Sequence, residues 1–428
     1  VLALRLARRA HPVVQLRRLL VAAATGGTGF LLLCALGHAM THPHAPAGSV
    51  LRLAWCVAPA AATVYFAVTV ARTDPGTRPR PGLSAIGLGP GRLMAISAVT
   101  TALSTVLGSL LALLFFLHLR GDLTGMPFDG AAADVLAAGR PLPLPAALTL
   151  LALVPAAASL TTALVLRPED TAARPAGPRT RFMAYDTFAI ARRAASPAGA
   201  TRYEEEPDEE AATPTAPAQP PEPPAPRPAP GGLPWGVAVL AVGLAVETYA
   251  GQSDHASGLA LPGGFADSPA GVLGGWLLTA LGLILVGPGL THLTGRLLQS
   301  VRPGALRLLA GRVLQEEARR IGRPLGVVCA VASGAYAMIT LSSGVRPAVG
   351  PLTLLGALVV TGCAVLTLAT AVVESRRAHA DTTAALVRLG APSALPRQAV
   401  LLRAGALLAV FGPLTWTIAQ LAALPLAA

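Results

Sequence analysis

The chain contains no lysine; all 33 of its basic residues are arginine. Two chemistries are thereby excluded. A phosphate-binding loop of the G-x-x-x-x-G-K-[ST] type needs a lysine, and so does any Schiff-base mechanism. If ATP drives this protein, a different chain hydrolyses it. Charge of either sign is scarce at 13% of residues, and aromatics make up only 4%. The four cysteines, Cys34, Cys56, Cys329 and Cys363, all fall inside apolar stretches, where a thiol behaves as a small apolar group and implies no disulfide framework. No Ser/His/Asp constellation or paired carboxylate occurs at a workable spacing in those stretches, so an intramembrane hydrolase has little support. The chain reads as a non-enzyme with no cofactor.

What is present is apolar mass. Hydrophobic residues make up 53% of the chain and the mean hydropathy is +0.59, the signature of an all-α polytopic membrane protein. Ala, Leu, Val and Gly supply that mass, which suits helices packed closely through small residues. Runs of about 20 apolar residues can cross roughly 30 Å of hydrocarbon. They occur at Leu19 to Met40, Val50 to Ala71, Leu93 to Leu119, Leu144 to Leu166, Pro234 to Ala250, Gly271 to Leu290, Leu325 to Ser343, Pro351 to Val373 and Ala399 to Ala423, about nine spans in all.

The arginines fix an expected orientation. Val1 to Arg18, Arg72 to Arg92, Arg167 to Gly232, Thr291 to Pro324 and Glu374 to Gln398 hold nearly all of them, while the alternate loops hold Arg52, Arg120, Arg140 and Arg346. The positive-inside rule then places the N-terminus in the cytoplasm of a bacterial cell, with the chain multi-pass in the cell membrane. This bias accounts for the basic charge without nucleic acid as a partner.

Composition also divides the chain. Val1 to Arg18 is basic and reads as an interfacial helix broken near Pro12; a signal peptide is the competing reading, but no small-residue cleavage site precedes Thr41. Residues 167–232 pass from basic through the acidic run Glu204 to Glu210 into a proline-dense stretch, and such a sequence is expected to be a disordered cytoplasmic linker. Leu293 to Arg323 carries Leu306, Leu309, Val313 and Leu314 at helical spacing among Arg307, Arg312, Arg319 and Arg320, which predicts an amphipathic helix on the inner leaflet. The expected domains are a first unit at 1–166, the linker at 167–232, a two-span connector at 233–292 and a second unit at 293–428.

Isolated polar residues are few. His38, His42 and His44 cluster beside Met40 at the outer mouth of the first span with no carboxylate, so solvated histidines outweigh a metal site. Glu247 is an acid near the outer end of the fifth span, where an intramembrane carboxylate is a functional candidate and snorkelling or a partner hydroxyl is the plainer reading.

One pattern organises the rest. Leu83 to Leu93 reads LSAIGLGPGRL, and Leu386 to Pro396 reads LVRLGAPSALP. At a constant offset Leu83 falls on Leu386, Ile86 on Leu389 and Gly87 on Gly390, with Gly89 and Pro392 two residues further on. Each copy reads as a short apolar helix that stops at glycine, because glycine tolerates the left-handed conformation that closes a helix. The same offset superposes the flanking apolar runs, so residues 1–119 and 304–421 read as two copies of one unit. An even number of spans separates matched positions, which makes the two bundles parallel and puts both short segments on the cytoplasmic side.

Two parallel units of this kind, each with a basic segment, two spans, an L-x-x-[LI]-G segment and a third span, resemble the FtsX-like permease family of ABC transporters. The composition fits an actinobacterial type without a large extracellular domain. In that family the inward-facing segment is a coupling helix that docks on a partner ATPase. The C-terminal copy is the closer match, with Glu374-Ser375-Arg376-Arg377 followed by Ala385-Leu386-Val387-Arg388-Leu389-Gly390-Ala391. The N-terminal copy keeps Leu83, Ile86, Gly87, Leu88 and Arg92 but is preceded by Asp74 to Pro81, which is too proline-rich for a regular helix. The resemblance therefore implies ATPase-coupling roles for Leu83, Ile86, Gly87, Leu88, Arg92, Arg376, Arg377, Leu386, Arg388, Leu389 and Gly390. The family usually has ten spans, one more than counted here.

The function so implied is the membrane-spanning permease subunit of an ABC transporter. A separate cytoplasmic ABC ATPase dimer would hydrolyse ATP, and the permease would export or extract a hydrophobic or amphiphilic substrate such as a lipid, peptide or antibiotic. The alternative is an ATPase-independent secondary transporter or a membrane sensor or scaffold; inverted repeats and several buried acids would favour it.

Overall fold

The structure is a computed structural model and describes residues 12–74, 90–123, 130–133, 136–167, 231–251, 258–259, 268–300, 304–342, 350–380, 384, 388, 390, 392 and 394–427. The proline-rich linker expected at 167–232 lies almost entirely outside the described residues. The described chain is helical apart from one two-residue antiparallel ladder, β1 (Gly258–Leu259) with β2 (Ser268–Pro269).

The helices are α1 (Pro12–Thr41), α2 (Pro46–Trp55), α3 (Val57–Arg72), α4 (Pro90–Arg120), α5 (Leu144–Val165), α6 (Leu233–Gly251), α7 (Ala270–Ser300), α8 (Ala305–Ser342), α9 (Pro351–Ala378) and α10 (Ala394–Ala427). Several begin at or next to proline, whose fixed φ and missing N–H suit the first turn. Among the described residues eight helices are long and apolar enough to cross a membrane, α2 and α3 counting as one. The protein is accordingly a multi-pass membrane protein. Nine spans were expected; the one not among the eight, Leu325 to Ser343, occupies the second half of α8 and runs on into residues outside the description.

Large side chains cover the outside. Leu148, Leu160, Leu277, Leu358, Leu401 and Leu408 are more than half exposed, the reverse of a water-soluble protein and the expected state of a surface solvated by lipid. The interior is built from smaller residues and a few rings. One core cluster joins Val21 of α1, Phe66 and Ala67 of α3, Ala158 of α5 and Val359 and Cys363 of α9. A second joins Leu33, Phe116, Ala147 and Leu151 of α1, α4 and α5. All four cysteines are buried and free.

Glycine sets how closely the helices approach. A Cβ on Gly108 of α4 would lie 2.3 Å from the Ala22 carbonyl oxygen of α1, and one on Gly287 of α7 would lie 2.2 Å from the Gly322 carbonyl oxygen of α8. These backbones touch only because the side chains are missing. With hydrocarbon outside, such dispersion contacts and a few polar bonds carry helix association. Two of those bonds are buried: Thr28 Oγ1 lies 2.9 Å from Thr63 Oγ1, and Ser109 Oγ donates to the Leu151 carbonyl at 3.0 Å.

The segment Leu293 to Arg323 differs from expectation. It is the turn of a helical hairpin, α7 descending to Ser300 and α8 rising from Ala305, and the two helices pack along their length. Helix α8 has 38 residues, about 57 Å at 1.5 Å per residue, nearly twice the roughly 30 Å of hydrocarbon. Ala310, Leu314, Ala318 and Ile321 are buried, Leu314 beside Gly295 of α7, whereas Leu309, expected on the apolar face, is 44% exposed. The amphipathic stripe is satisfied by a second helix rather than by a membrane surface. Pro324, which should end a helix, sits inside α8, two residues beyond the Gly322 that packs on Gly287 and Pro288 of α7.

Candidate functional site: the arginine-rich end of the bundle

The ends of α3 and α9 and the early parts of α1 and α8 gather at one end of the bundle. On the first side Arg18 Nη2 lies 2.7 Å from Asp74 Oδ2, and Arg17 Nη1 donates to Thr73 Oγ1 at 3.3 Å, tying α1 to the end of α3. On the second side Ser375 Oγ donates to Glu317 Oε2 at 2.7 Å, and His379 Nδ1 lies 3.2 Å from Glu317 Oε1, tying α8 to the end of α9. Glu317, Glu374 and Ser375 are all buried. The two sides meet electrostatically. Arg17 and Arg377 are close enough to repel.

Of the residues to which the resemblance gives coupling roles, Arg92, Arg376, Arg377, Arg388 and Gly390 are described and all are exposed. Arg92 stands in the first turn of α4, and Arg376 and Arg377 in the last turn of α9. Gly390 has φ +91°, the left-handed conformation expected of a glycine that closes a helix, and Arg388 two residues before it is helical. Leu83, Ile86, Gly87, Leu88, Leu386 and Leu389 lie outside the described residues.

Sequence reasoning gave no site role to Glu317 or His379, and it used Glu374 and Ser375 only as part of a motif. The available signal was an acid on the otherwise apolar stripe of α8: Glu317 follows Ala310 and Leu314 at helical spacing. A buried carboxylate needs partners, and those partners come from α9, 58 residues away for Ser375.

Two further sets of polar residues lie elsewhere. Glu247 of α6 is fully buried rather than snorkelling. Trp276 Nε1 of α7 donates to its Oε1, while Oε2 has no hydrogen-bond partner among the described residues. Its partner is thus an indole, not the hydroxyl expected, and Gly275 beside it provides the room, since a Cβ there would come within 2.7 Å of the Glu247 Cβ. At the opposite end from the arginine cluster, the His38 and His42 rings stack 4.1 Å apart, and Arg140 Nη1 caps the Met40 carbonyl at 2.6 Å. Among the described residues no three potential ligands come together to hold a metal ion.

No protein-family model, curated protein or solved structure matches this chain. The geometry of the helices and of the arginine-rich end therefore carries the functional reading.

Proposed function

We propose that this protein is the membrane-spanning permease subunit of an ABC transporter, resembling the FtsX-like family, in which a separate ATPase drives the export or extraction of a hydrophobic or amphiphilic compound. The observation that carries the reading is the coincidence of helix ends with the sequence repeat. At the offset that takes Leu83 to Leu386, Pro46 falls two residues before Pro351 at the start of α9, and Arg72 three residues before its end at Ala378. Pro90 falls one residue before Ala394 at the start of α10, and Arg120 four residues before its end at Ala427. Packing follows the same pairing: α1 touches α3 and α4, α8 touches α9 and α10, and α3 meets α9 between them. Two like units, each with a polar tie at the arginine-rich end, would deliver motion at that end to both bundles.

In this reading the short helices before Gly87 and Gly390 are the levers on which the ATPase acts, and the arginine-rich end faces the cytoplasm. Leu386 and Leu389 would seat in a partner groove, with Arg388 at its rim. The test is co-purification with an ABC ATPase encoded beside this chain, followed by Leu389→Asp and Gly390→Pro. Loss of binding, or loss of ATPase stimulation, in both variants is the expected result. Retained binding with unchanged stimulation removes the docking role.

The second reading, an ATPase-independent transporter or scaffold, is favoured by one observation: Glu247 is a buried intramembrane carboxyl, one of whose oxygens has no hydrogen-bond partner among the described residues. Transport by the purified chain in the absence of any ATPase, abolished by Glu247→Gln, would select it.

A further inference from the structure

A cavity of about 520 Å³ lies between α1, α4 and α9. Its walls include Ala23, Gly26 and Gly27 of α1, Leu111 and Phe115 of α4 and Leu355 of α9, and His118 of α4 stands at one end. The space follows from the sequence. Side chains are small or missing along that stripe of α1, while Gly27 admits Val359 of α9 so closely that a Cβ there would lie 2.8 Å from its Cγ2. That contact draws α9 onto α1 and leaves the adjoining faces of α1 and α4 uncovered.

The surroundings decide what occupies the space. The walls belong to helices that are each apolar enough to cross a membrane, Val13–Thr41, Gly91–Arg120 and Pro351–Ala378. Leu107, Leu110, Leu111, Leu114 and Phe115 beside the cavity are each about half exposed, so it opens onto the lipid-facing surface. Water has almost no polar partner there and would not be held. An empty space would forfeit dispersion contacts along its whole lining. At this depth of a bilayer the abundant apolar molecule is the lipid chain, and the volume lies within the roughly 300–1,000 Å³ range of ligand sites.

We propose that this cavity holds one acyl chain of a phospholipid, inserted sideways from the bilayer with its headgroup toward the His118 end of α4. The polar end of the cavity is also the end at which α4 reaches Arg120, Asp122 and the chain's exit from the apolar span, where a headgroup would lie. The inference names a binding site for the amphiphilic class of molecule in the transport reading. It rests on the membrane-spanning architecture alone, so its test requires no ATPase.

The full chain is reconstituted in phosphatidylglycerol vesicles containing a trace of phosphatidylcholine with a diazirine halfway along one acyl chain. After illumination, labelled peptides are mapped by mass spectrometry. Labelling should concentrate on residues 22–30 and 111–118, above that on the equally lipid-facing Leu160 and Leu164 of α5. Ala23→Trp, at an exposed position of the mouth, should lower labelling of those two peptides by about tenfold, and Leu111→Trp on the facing wall should do the same. Leu160→Trp should leave it unchanged. Uniform labelling of all lipid-facing helices overturns the proposal, as does labelling that survives both cavity variants.

Discussion

Helix pairs α1/α4 and α8/α10, which the proposed repeat would set in correspondence, differ in what stands at the matched positions. In the first pair Gly108 brings α4 into contact with the α1 backbone at Ala22. At the repeat offset the residue matching Gly108 is Phe411 of α10, a buried ring 4% exposed. Where α4 has no side chain against α1, α10 carries a large buried one. The same contrast runs through the polar ties. The α1/α3 tie is a partly exposed ion pair, Arg18 with Asp74, and the α8/α9 tie is a buried carboxylate, Glu317, held by Ser375 and His379. Helix order and contact partners can therefore stay alike while the chemistry at each contact changes. The first set has its closest backbone contact at the centre and a part-exposed tie at its end; the second has a buried tie at its end.

The largest break in this comparison should come from Gly108→Leu. A Cβ 2.3 Å from a backbone oxygen has nowhere to move, so α1 and α4 must separate. Overpacking of a close-packed contact costs about 1–3 kcal/mol, occasionally more, and a clash with backbone belongs at the upper end. Unfolding in mixed micelles, followed by helical circular dichroism against denaturing detergent, should show a large loss of stability. The same method on Gly412→Leu, at an α10 glycine with open space around its Cβ, should show little change. Equal effects at the two glycines would remove the claim that the α1/α4 contact depends on the missing side chain at Gly108.

A smaller loss is expected at the buried tie. Ser375→Ala takes away the hydroxyl that donates to Glu317 Oε2 and leaves a buried carboxylate oxygen short of a donor. Stranding a buried acceptor costs about 1–3 kcal/mol. Ser375→Thr keeps the hydroxyl and should recover most of that loss in the same unfolding assay. Failure of threonine to rescue would mean that the position matters for packing rather than for the bond.

These contrasts mark what a single sequence could show. The spans were legible because hydrocarbon demands long apolar runs, and the arginine-rich ends because of how sharply charge is confined. The left-handed turn at Gly390 was legible because few residues other than glycine accept φ +91°. The α7/α8 hairpin was not. An amphipathic stripe has the same spacing whether it lies on a membrane or on another helix, and only the structure shows Leu314 buried by α7 while Leu309 stays exposed. Glu247 was found as a residue but misjudged in its setting, since its partner Trp276 is 29 residues away on a different helix. Glu317 was passed over for a similar reason: local sequence shows two adjacent acids among arginines, which reads as an ordinary solvated face. Burial is a property of what packs against a residue, and a partner on another helix leaves no trace at helical spacing.

The smallest effect should come from the exposed tie. Arg18 and Asp74 have side chains 28% and 18% exposed and meet at 2.7 Å. Their attraction is screened by water and salt, and holding two mobile side chains together costs entropy, so such pairs contribute about 0–1 kcal/mol. Arg18→Ala should therefore change stability by less than Ser375→Ala, and the difference from the unaltered protein should shrink further as salt is raised from 50 mM to roughly 0.5 M, where the screening length falls below about 5 Å. The Ser375→Ala loss should change little over the same range, because its bond is buried beyond the reach of mobile ions. If instead the Arg18 effect is the larger, or is indifferent to salt, then Arg18 is engaged by more than Asp74, and the two halves are less different at this end than their burial implies.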